Sequence, residues 1–251
     1  MFNKKELINS IFYPRKSYKK KDSKDHLVRV SSDISIGVRF FIDNKNFNNI
    51  LFFHGNAELA QEYDEIALFY HRHNCNFIVS DYRGYGLSSG MPDRDNLLSD
   101  SVKIFDYVEG FLNSKGIDGK MIVKGRSLGS ASAWEISSRR IDRLDAVIIE
   151  SGFATELPIL KLMGVDPKLV DFNLSDGFEG LRKIRKYDKP LLVIHADRDH
   201  IIPLSEGKMT HDESLSKNKK IVVVESANHN NIIHCLGDRY FEDIEGFIDS
   251  I

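Results

Sequence analysis

The sequence predicts an α/β fold, a mostly parallel central sheet with helices on both faces, and three observations carry the prediction. Residues 49–53, 76–80, 144–149, 190–194 and 221–224 are short, nearly unbroken apolar runs, the pattern of strands covered on both sides. Between them lie segments with apolar residues at helical spacing. The runs also tend to end in glycine, acid or histidine, which places polar chemistry at the carboxyl ends of parallel strands, where open α/β sheets keep their sites.

Taken in order, residues 1–25 form an amino-terminal arm. The stretch 15–24 carries Arg15, Lys16, Lys19, Lys20, Lys21 and Lys24 and is expected to be a solvated basic face. Residues 26–30 and 34–42 are β-rich and separated by Ser31-Ser32-Asp33, an antiparallel hairpin at the start of the sheet. The run 49–53 enters His54-Gly55-Asn56-Ala57-Glu58, residues 59–73 have a helical pattern, and the run 76–80 enters a glycine-rich loop at Asp81-Tyr82-Arg83-Gly84-Tyr85-Gly86. Leu98, Val102, Phe105, Val108 and Leu112 lie on one face of a helix that Gly116 ends. Residues 153–188 are irregular, with Pro158, Gly164, Pro167, Gly177 and Gly180 among apolar groups, and are expected to form a small lid inserted in a single domain spanning 26–251. Tyr240, Phe241, Ile244, Phe247 and Ile248 share one face of a closing helix.

The 251 residues suit one α/β core. A hydrophobic content of 41% with 29% charged residues is that of a soluble globular chain, and a formal charge of −2 argues against a nucleic-acid or anionic-membrane partner. No run approaches the roughly 18 apolar residues of a membrane span, and Met1 to Leu7 lacks the apolar core of a signal peptide. Cys75 and Cys235 are too few for a disulfide framework; both lie beside apolar residues as buried free thiols would, which suits a reducing cytoplasm.

The chemistry centres on residues 121–130. An apolar run leads directly into Gly125-Arg126-Ser127-Leu128-Gly129, which continues into a helix. A strand–turn–helix of this kind holds the middle residue in a strained conformation that projects its side chain, so Ser127 is the candidate nucleophile, with Gly125 and Gly129 where a Cβ would clash. The N–H of Leu128, at the helix start, is a candidate oxyanion donor, and Gly55 allows the N–H of Asn56 or Ala57 to be the second. A serine hydroxyl needs a base and an orienting acid. His229 follows the last strand run, and Asp197 and Asp199 both follow the run 190–194, giving the chain order Ser, Asp, His.

These motifs together resemble a serine α/β-hydrolase from about residue 26 onward: His54-Gly55-Asn56, Asp81-Tyr82-Arg83-Gly84-Tyr85-Gly86, Gly125-x-Ser127-x-Gly129, Asp199 and His229 stand in family order. The wording is similar to the branch of small serine hydrolases that contains protein depalmitoylases and bacterial relatives, although Met1 to Lys24 lacks the acylated cysteine cluster of the depalmitoylases. The resemblance implies the α/β-hydrolase fold. It also selects Asp199, just ahead of Ile201-Ile202-Pro203, as the acid, leaving Asp197 to cap loop N–H groups. It implies hydrolysis of a carboxylic ester or thioester of a small acyl substrate, without metal or organic cofactor. A peptidase or amidase with the same triad, or a non-catalytic ligand-binding relative, are the alternatives, and the oligomeric state is not legible. The short stretch available to wall off an acyl site suggests a short-acyl preference.

His54 and His195, near strand ends, are expected to bond backbone. His71 and His73, two apart on a helix, point to different faces and make no metal pair. His200 and His234 are candidates to line the pocket. Arg126 is expected either to meet a negatively charged substrate group or to pair with Asp81 or Glu150, and Glu58 to cap the following helix.

Overall fold

The computed structural model describes residues 3–251; Met1 and Phe2, the first two residues of the expected arm, lie outside the described residues. An eight-stranded sheet has the order β1-β2-β4-β3-β5-β6-β7-β8. Strands β1 (Asp25–Arg29) and β2 (Ser35–Phe41) form the expected antiparallel hairpin, and β2 also runs antiparallel to β4 (Cys75–Ser80). From there β4, β3 (Asn48–Phe53), β5 (Met121–Arg126), β6 (Ala146–Glu150), β7 (Leu191–Ala196) and β8 (Lys219–Val224) are parallel.

The apolar runs do not alternate because both faces of the sheet are covered. Leu51, Phe53, Val123, Val147 and Val193 pack into one core with α3 (Arg94–Ser114) and α4 (Gly129–Arg139). Their neighbours Ile50, Phe52, Ile122, Ile148 and Leu192 pack into the other with α2 (Asp64–Arg72) and α9 (Arg239–Asp249). Period-2 geometry splits each strand between the two cores. Among the described residues no helix is long and apolar enough to cross a membrane.

Three expectations differ in part from the structure. The helical pattern at 59–73 breaks into a 3₁₀ turn, Ala60–Glu62, and then α2, because the Glu62 carboxylate accepts the Leu59 N–H at 3.0 Å and Asp81 accepts the Ala60 N–H at 2.9 Å, fixing a tighter turn first. Cys75 is buried, its thiol pushed up to about 12 by burial, but Cys235 is exposed, on the outward side of the five-residue α8 (Ile232–Leu236). Residues 15–24 are solvent-exposed as expected, apart from half-buried Ser17, but the segment is docked rather than free: after α1 (Lys4–Asn9), Ile11 and Phe12 are buried, Arg15 pairs with Glu62, and Lys19 donates to the Gln61 carbonyl at 2.7 Å. Asp22 and Asp25 accept hydrogen bonds from the buried Arg39 at 3.0 and 2.7 Å, so acids of the segment are tied to the sheet.

Between β6 and β7, residues 153–188 fold as α5 (Leu157–Leu162), a long turn, and α6 (Gly180–Ile184). Glu156, at the start of α5, is buried and accepts the Phe178 N–H at 2.5 Å, joining the two ends of this stretch. Burial raises its carboxyl to about 7. A folded value above the unfolded one means that stability is fully present below about pH 4 and declines as pH rises toward 7, on the order of 2–3 kcal/mol in total. Glu156→Gln removes that decline. Its melting temperature should gain on that of the wild type between pH 5 and 8; a constant difference would show that Glu156 does not titrate differently in the two states.

Candidate active site

At the carboxyl end of β5 the chain turns through Ser127 into α4. Ser127 has φ +50°, a left-handed conformation that a non-glycine residue adopts at a cost. Its N–H donates to the Glu150 carbonyl on neighbouring β6 at 3.0 Å, and its own carbonyl accepts the Ser130 N–H and hydroxyl at 3.0 and 2.7 Å. The turn is possible because α4 lies against the sheet. A Cβ at Gly129 would run into the carbonyl oxygen of Phe53, and one at Gly125 into that of Gly129.

The structure brings Ser127, His229 and Asp199 together from three separate strand ends. The Ser127 Oγ lies 3.1 Å from Nε2 of His229, and Nδ1 of His229 lies 2.7 Å from Oδ2 of Asp199. Since Nδ1 donates to the carboxylate, Nε2 presents its lone pair to the hydroxyl. The other Asp199 oxygen accepts the N–H groups of Ile201 and Ile202 at 3.0 and 2.8 Å, which fixes the carboxylate plane. Burial works to raise the Asp199 pKa, but the hydrogen bond and charge of His229 with these two N–H groups outweigh it, holding the carboxyl below its ordinary value. Asp197, by contrast, is exposed and caps nothing among the described residues; the loop-capping assigned to it is done by Asp199.

The two N–H groups expected as second oxyanion donor differ in their engagement. The Ala57 N–H donates to Oδ1 of Asn56 at 3.1 Å, whereas the backbone N–H groups of Asn56 and Leu128 have no acceptor among the described residues. Asn56 and Leu128 line the same cavity as Ser127 and His229.

Arg126 does not contact Asp81, although it lines the cavity. It pairs with Glu58, lies 3.3 Å from Glu150, and donates to the His229 carbonyl at 2.8 Å and the Asn230 side chain at 3.1 Å. Burial opposes its charge, and Glu58 and Glu150 outweigh burial, raising its pKa. Beneath it, Glu150 accepts from Lys124 at 2.7 Å and from the Tyr240 hydroxyl; burial disfavours the carboxylate, but Lys124 and Arg126 lower it to about 2. Glu58 does not cap a helix. It accepts the Gly55 N–H at 2.8 Å and the Tyr63 hydroxyl at 2.5 Å. Asp81 instead accepts from His54 at 3.1 Å.

Both expected structural histidines bond backbone: Nδ1 of His54 is 2.7 Å from the Gly55 carbonyl, and Nε2 of His195 is 2.8 Å from that of Ile202. Burial lowers the His195 pKa. His71 bonds the Phe41 carbonyl and His73 bonds Glu245, so they do not converge. His200 and His234 are exposed and lie outside the cavity that was to receive them. That cavity, of about 430 Å³, has apolar walls from Ile159, Leu162 and Met163 near α5 and from Ile201 and Ile202. Ile11 and Tyr13 also line it, which sequence reasoning missed; the one available signal was the apolar Ile11-Phe12-Tyr13 ahead of the basic stretch.

With this geometry in place, the comparisons with known proteins are informative. Residues 44–170 match the model of the Hydrolase_4 family, described as serine aminopeptidase, S33. The chain is 29% identical over 203 residues to protein bem46 of Schizosaccharomyces pombe, covering 79% of this chain and 66% of that one. It is 32% identical over 202 residues to the α/β hydrolase domain-containing protein 17C of Homo sapiens, covering 79% and 57%. The chain thus spans about three fifths of the length of the curated relatives it matches. In fold it resembles the esterase Pf2001 of Pyrococcus furiosus, with a TM-score of 0.73 and 16% identity over 94% of this chain and 98% of that one.

Removing the Arg126 charge leaves Glu58 without its cation and Glu150 with Lys124 as its remaining cation. Arg126→Met should destabilise the fold by about 3 kcal/mol in a denaturant titration, since breaking a buried ion pair leaves an uncompensated charge. A loss under about 1 kcal/mol would mean that water already screens the pair.

Proposed function

The chain belongs to the Hydrolase_4 family of serine α/β-hydrolases, and from that premise we propose that it cleaves a carboxylic ester or thioester through an acyl-enzyme on Ser127. The observation that supports this most is the continuous path of hydrogen bonds from Ser127 Oγ to His229 Nε2 and from His229 Nδ1 to Asp199, at 3.1 and 2.7 Å. In the proposed reaction the Ser127 oxygen attacks the carbonyl carbon while His229 takes its proton, and the resulting oxyanion meets the N–H groups of Leu128 and Asn56. Collapse expels the alkoxide or thiolate, which takes the proton from His229. Water then attacks the acyl-serine, giving its proton to His229, and the carboxylic acid leaves as Ser127 is restored. Asp199 holds the imidazole in the tautomer this cycle needs and stabilises it when charged. Residues 153–188 act as the lid over the acyl side of the cavity. No step requires a metal, and among the described residues no group of three or more His, Cys, Asp or Glu is placed to share one.

The family description favours a second reading, cleavage of a peptide at its amino terminus. Such a site needs a carboxylate for the free ammonium. Glu58 is the carboxylate lining the cavity, and Arg126, the Gly55 N–H and the Tyr63 hydroxyl already engage it. Esters make no such demand, which is why the ester reading is preferred.

Two variants test the assignment. Ser127→Ala should abolish hydrolysis of p-nitrophenyl esters and labelling by a fluorophosphonate, with an unchanged circular dichroism spectrum; near-wild-type turnover in the purified variant would refute the nucleophile. Asp199→Asn should lower kcat by about 10³ to 10⁴ at neutral pH, because an asparagine favours the wrong histidine tautomer. Asp197→Asn, at an exposed position, should leave both kcat and stability close to wild type. A large kinetic loss in Asp197→Asn with Asp199→Asn spared would reverse the assignment of the acid.

A further inference from the structure

Residues 10–19 are bound along their length to the loops that carry the candidate site. The Asn56 side chain is the joint. Its Nδ2 donates to the Ile11 carbonyl at 2.6 Å, and its Oδ1 accepts the Tyr13 N–H at 3.0 Å and the Tyr85 hydroxyl at 2.6 Å. Tyr85 in turn accepts the same Tyr13 N–H at 2.9 Å. Beyond it Arg15 donates to the Ala57 carbonyl, and its own carbonyl accepts the Gly86 N–H at 2.9 Å. Asn56, the residue proposed to supply a backbone N–H to the oxyanion, therefore also clamps, through its side chain, the two residues that line the cavity from the amino-terminal segment.

Those residues are apolar where the cavity needs them. Ile11 is buried and Tyr13 is largely exposed, and both line the cavity shared by Ser127, Ile159, Leu162 and Met163. An acyl carbonyl held at Ser127 and Asn56 sends its chain into a space with an apolar wall on α5 and another on this segment. We propose that the segment is the length-determining wall of the acyl site: Ile11 and Tyr13 meet the acyl chain, and Asn56 holds them in register with the oxyanion donors. The assignment rests on the ester reading only for its turnover consequences; the wall itself is a binding surface. Each methylene that the wall covers is worth roughly fourfold in affinity, so a medium-length chain gains measurably from it while an acetyl group gains nothing.

The test separates binding from turnover. Calorimetric titration of decanoate into Ser127→Ala protein gives the parent affinity. Adding Ile11→Trp, which fills the cavity, or Tyr13→Ala, which strips the wall at an exposed and well-tolerated position, should each weaken decanoate at least fivefold. Asn56→Ala, which frees the segment while keeping the peptide N–H, should weaken it in the same direction. Tyr18→Ala, fully exposed and outside the cavity, is the control and should leave the affinity unchanged. Decanoate that fails to bind the parent, or that binds the Ile11 and Tyr13 variants within twofold of the parent, overturns the wall. On the Ser127 background, the ratio of kcat/KM for octanoate to acetate p-nitrophenyl esters should fall at least tenfold in Ile11→Trp. Decanoate binding that responds as expected in a protein without ester turnover keeps the wall and removes the ester reading. Turnover with an unaltered chain-length ratio keeps the reading and removes the wall.

Discussion

The close approach of α4 to the sheet is the constraint from which the rest follows. Gly129 leaves room for the Phe53 carbonyl and Gly125 for that of Gly129, so β3, β5 and the start of α4 are held nearer together than any side chain would permit. Only under that compression does Ser127 stay at φ +50°, a conformation that costs about 1–3 kcal/mol and must be over-determined by its surroundings. The bond from its N–H to the Glu150 carbonyl extends the constraint to β6. The serine hydroxyl is thereby fixed at the edge of the sheet, and His229 and Asp199 need only be delivered to it by loops.

The delivery of His229 depends on charge as well as on the packing of Ala227 and Ile232 beside it. Arg126 stands on β5 one residue before the serine and Lys124 stands two residues earlier, on the same face. A strand that alternates between two apolar cores has no place for two cations unless anions accompany them. Glu150, at the register partner of Arg126 on β6, answers both. Glu58, after β3, closes the set with Arg126, which then reaches across to the His229 carbonyl. The loop after β3, the elbow and the histidine loop are therefore coupled by one guanidinium. An ammonium at that position would lack the planar fork that serves four partners at once.

Much of this was legible in the sequence because it is local. The unbroken apolar runs gave the strands and their double covering, and the glycines flanking Ser127 gave the turn. What the sequence withheld was pairing across distance. Arg126 was expected to meet Asp81 or Glu150, but its strongest partner is Glu58, and nothing in the order of residues says that Asp81 is already bonded by His54 and the Ala60 N–H. Asp197 and Asp199 are indistinguishable by alternation; burial and the two N–H groups of Ile201 and Ile202 separate them only once the loop has turned. The amino-terminal basic stretch is solvated, as a charge run usually is, but its docking partners could not be read from the sequence. Its partners, Glu62, Asp64 and the Gln61 carbonyl, lie over 40 residues away in the chain.

The docking of the segment just before that stretch changes how the cavity is understood. If only residues 153–188 enclosed the acyl side, the site would be a shallow cleft under a small lid, and a short acyl group would be the natural guest. Ile11 and Tyr13 add a wall that belongs to neither the lid nor the sheet. Because the wall is hung on the Asn56 side chain, it cannot move without moving the residue whose N–H we propose as an oxyanion donor. The stretch 153–188, joined at its ends through Glu156 and Phe178, has no bond of this kind to the loop after β3 among the described residues. The two walls of the cavity therefore differ in kind. The wall on α5 is anchored through Glu156 and through the Ala154 and Thr155 N–H groups on Glu206, whereas the amino-terminal wall is anchored on Asn56 in the loop after β3, and it is this second wall that we propose measures a chain's length.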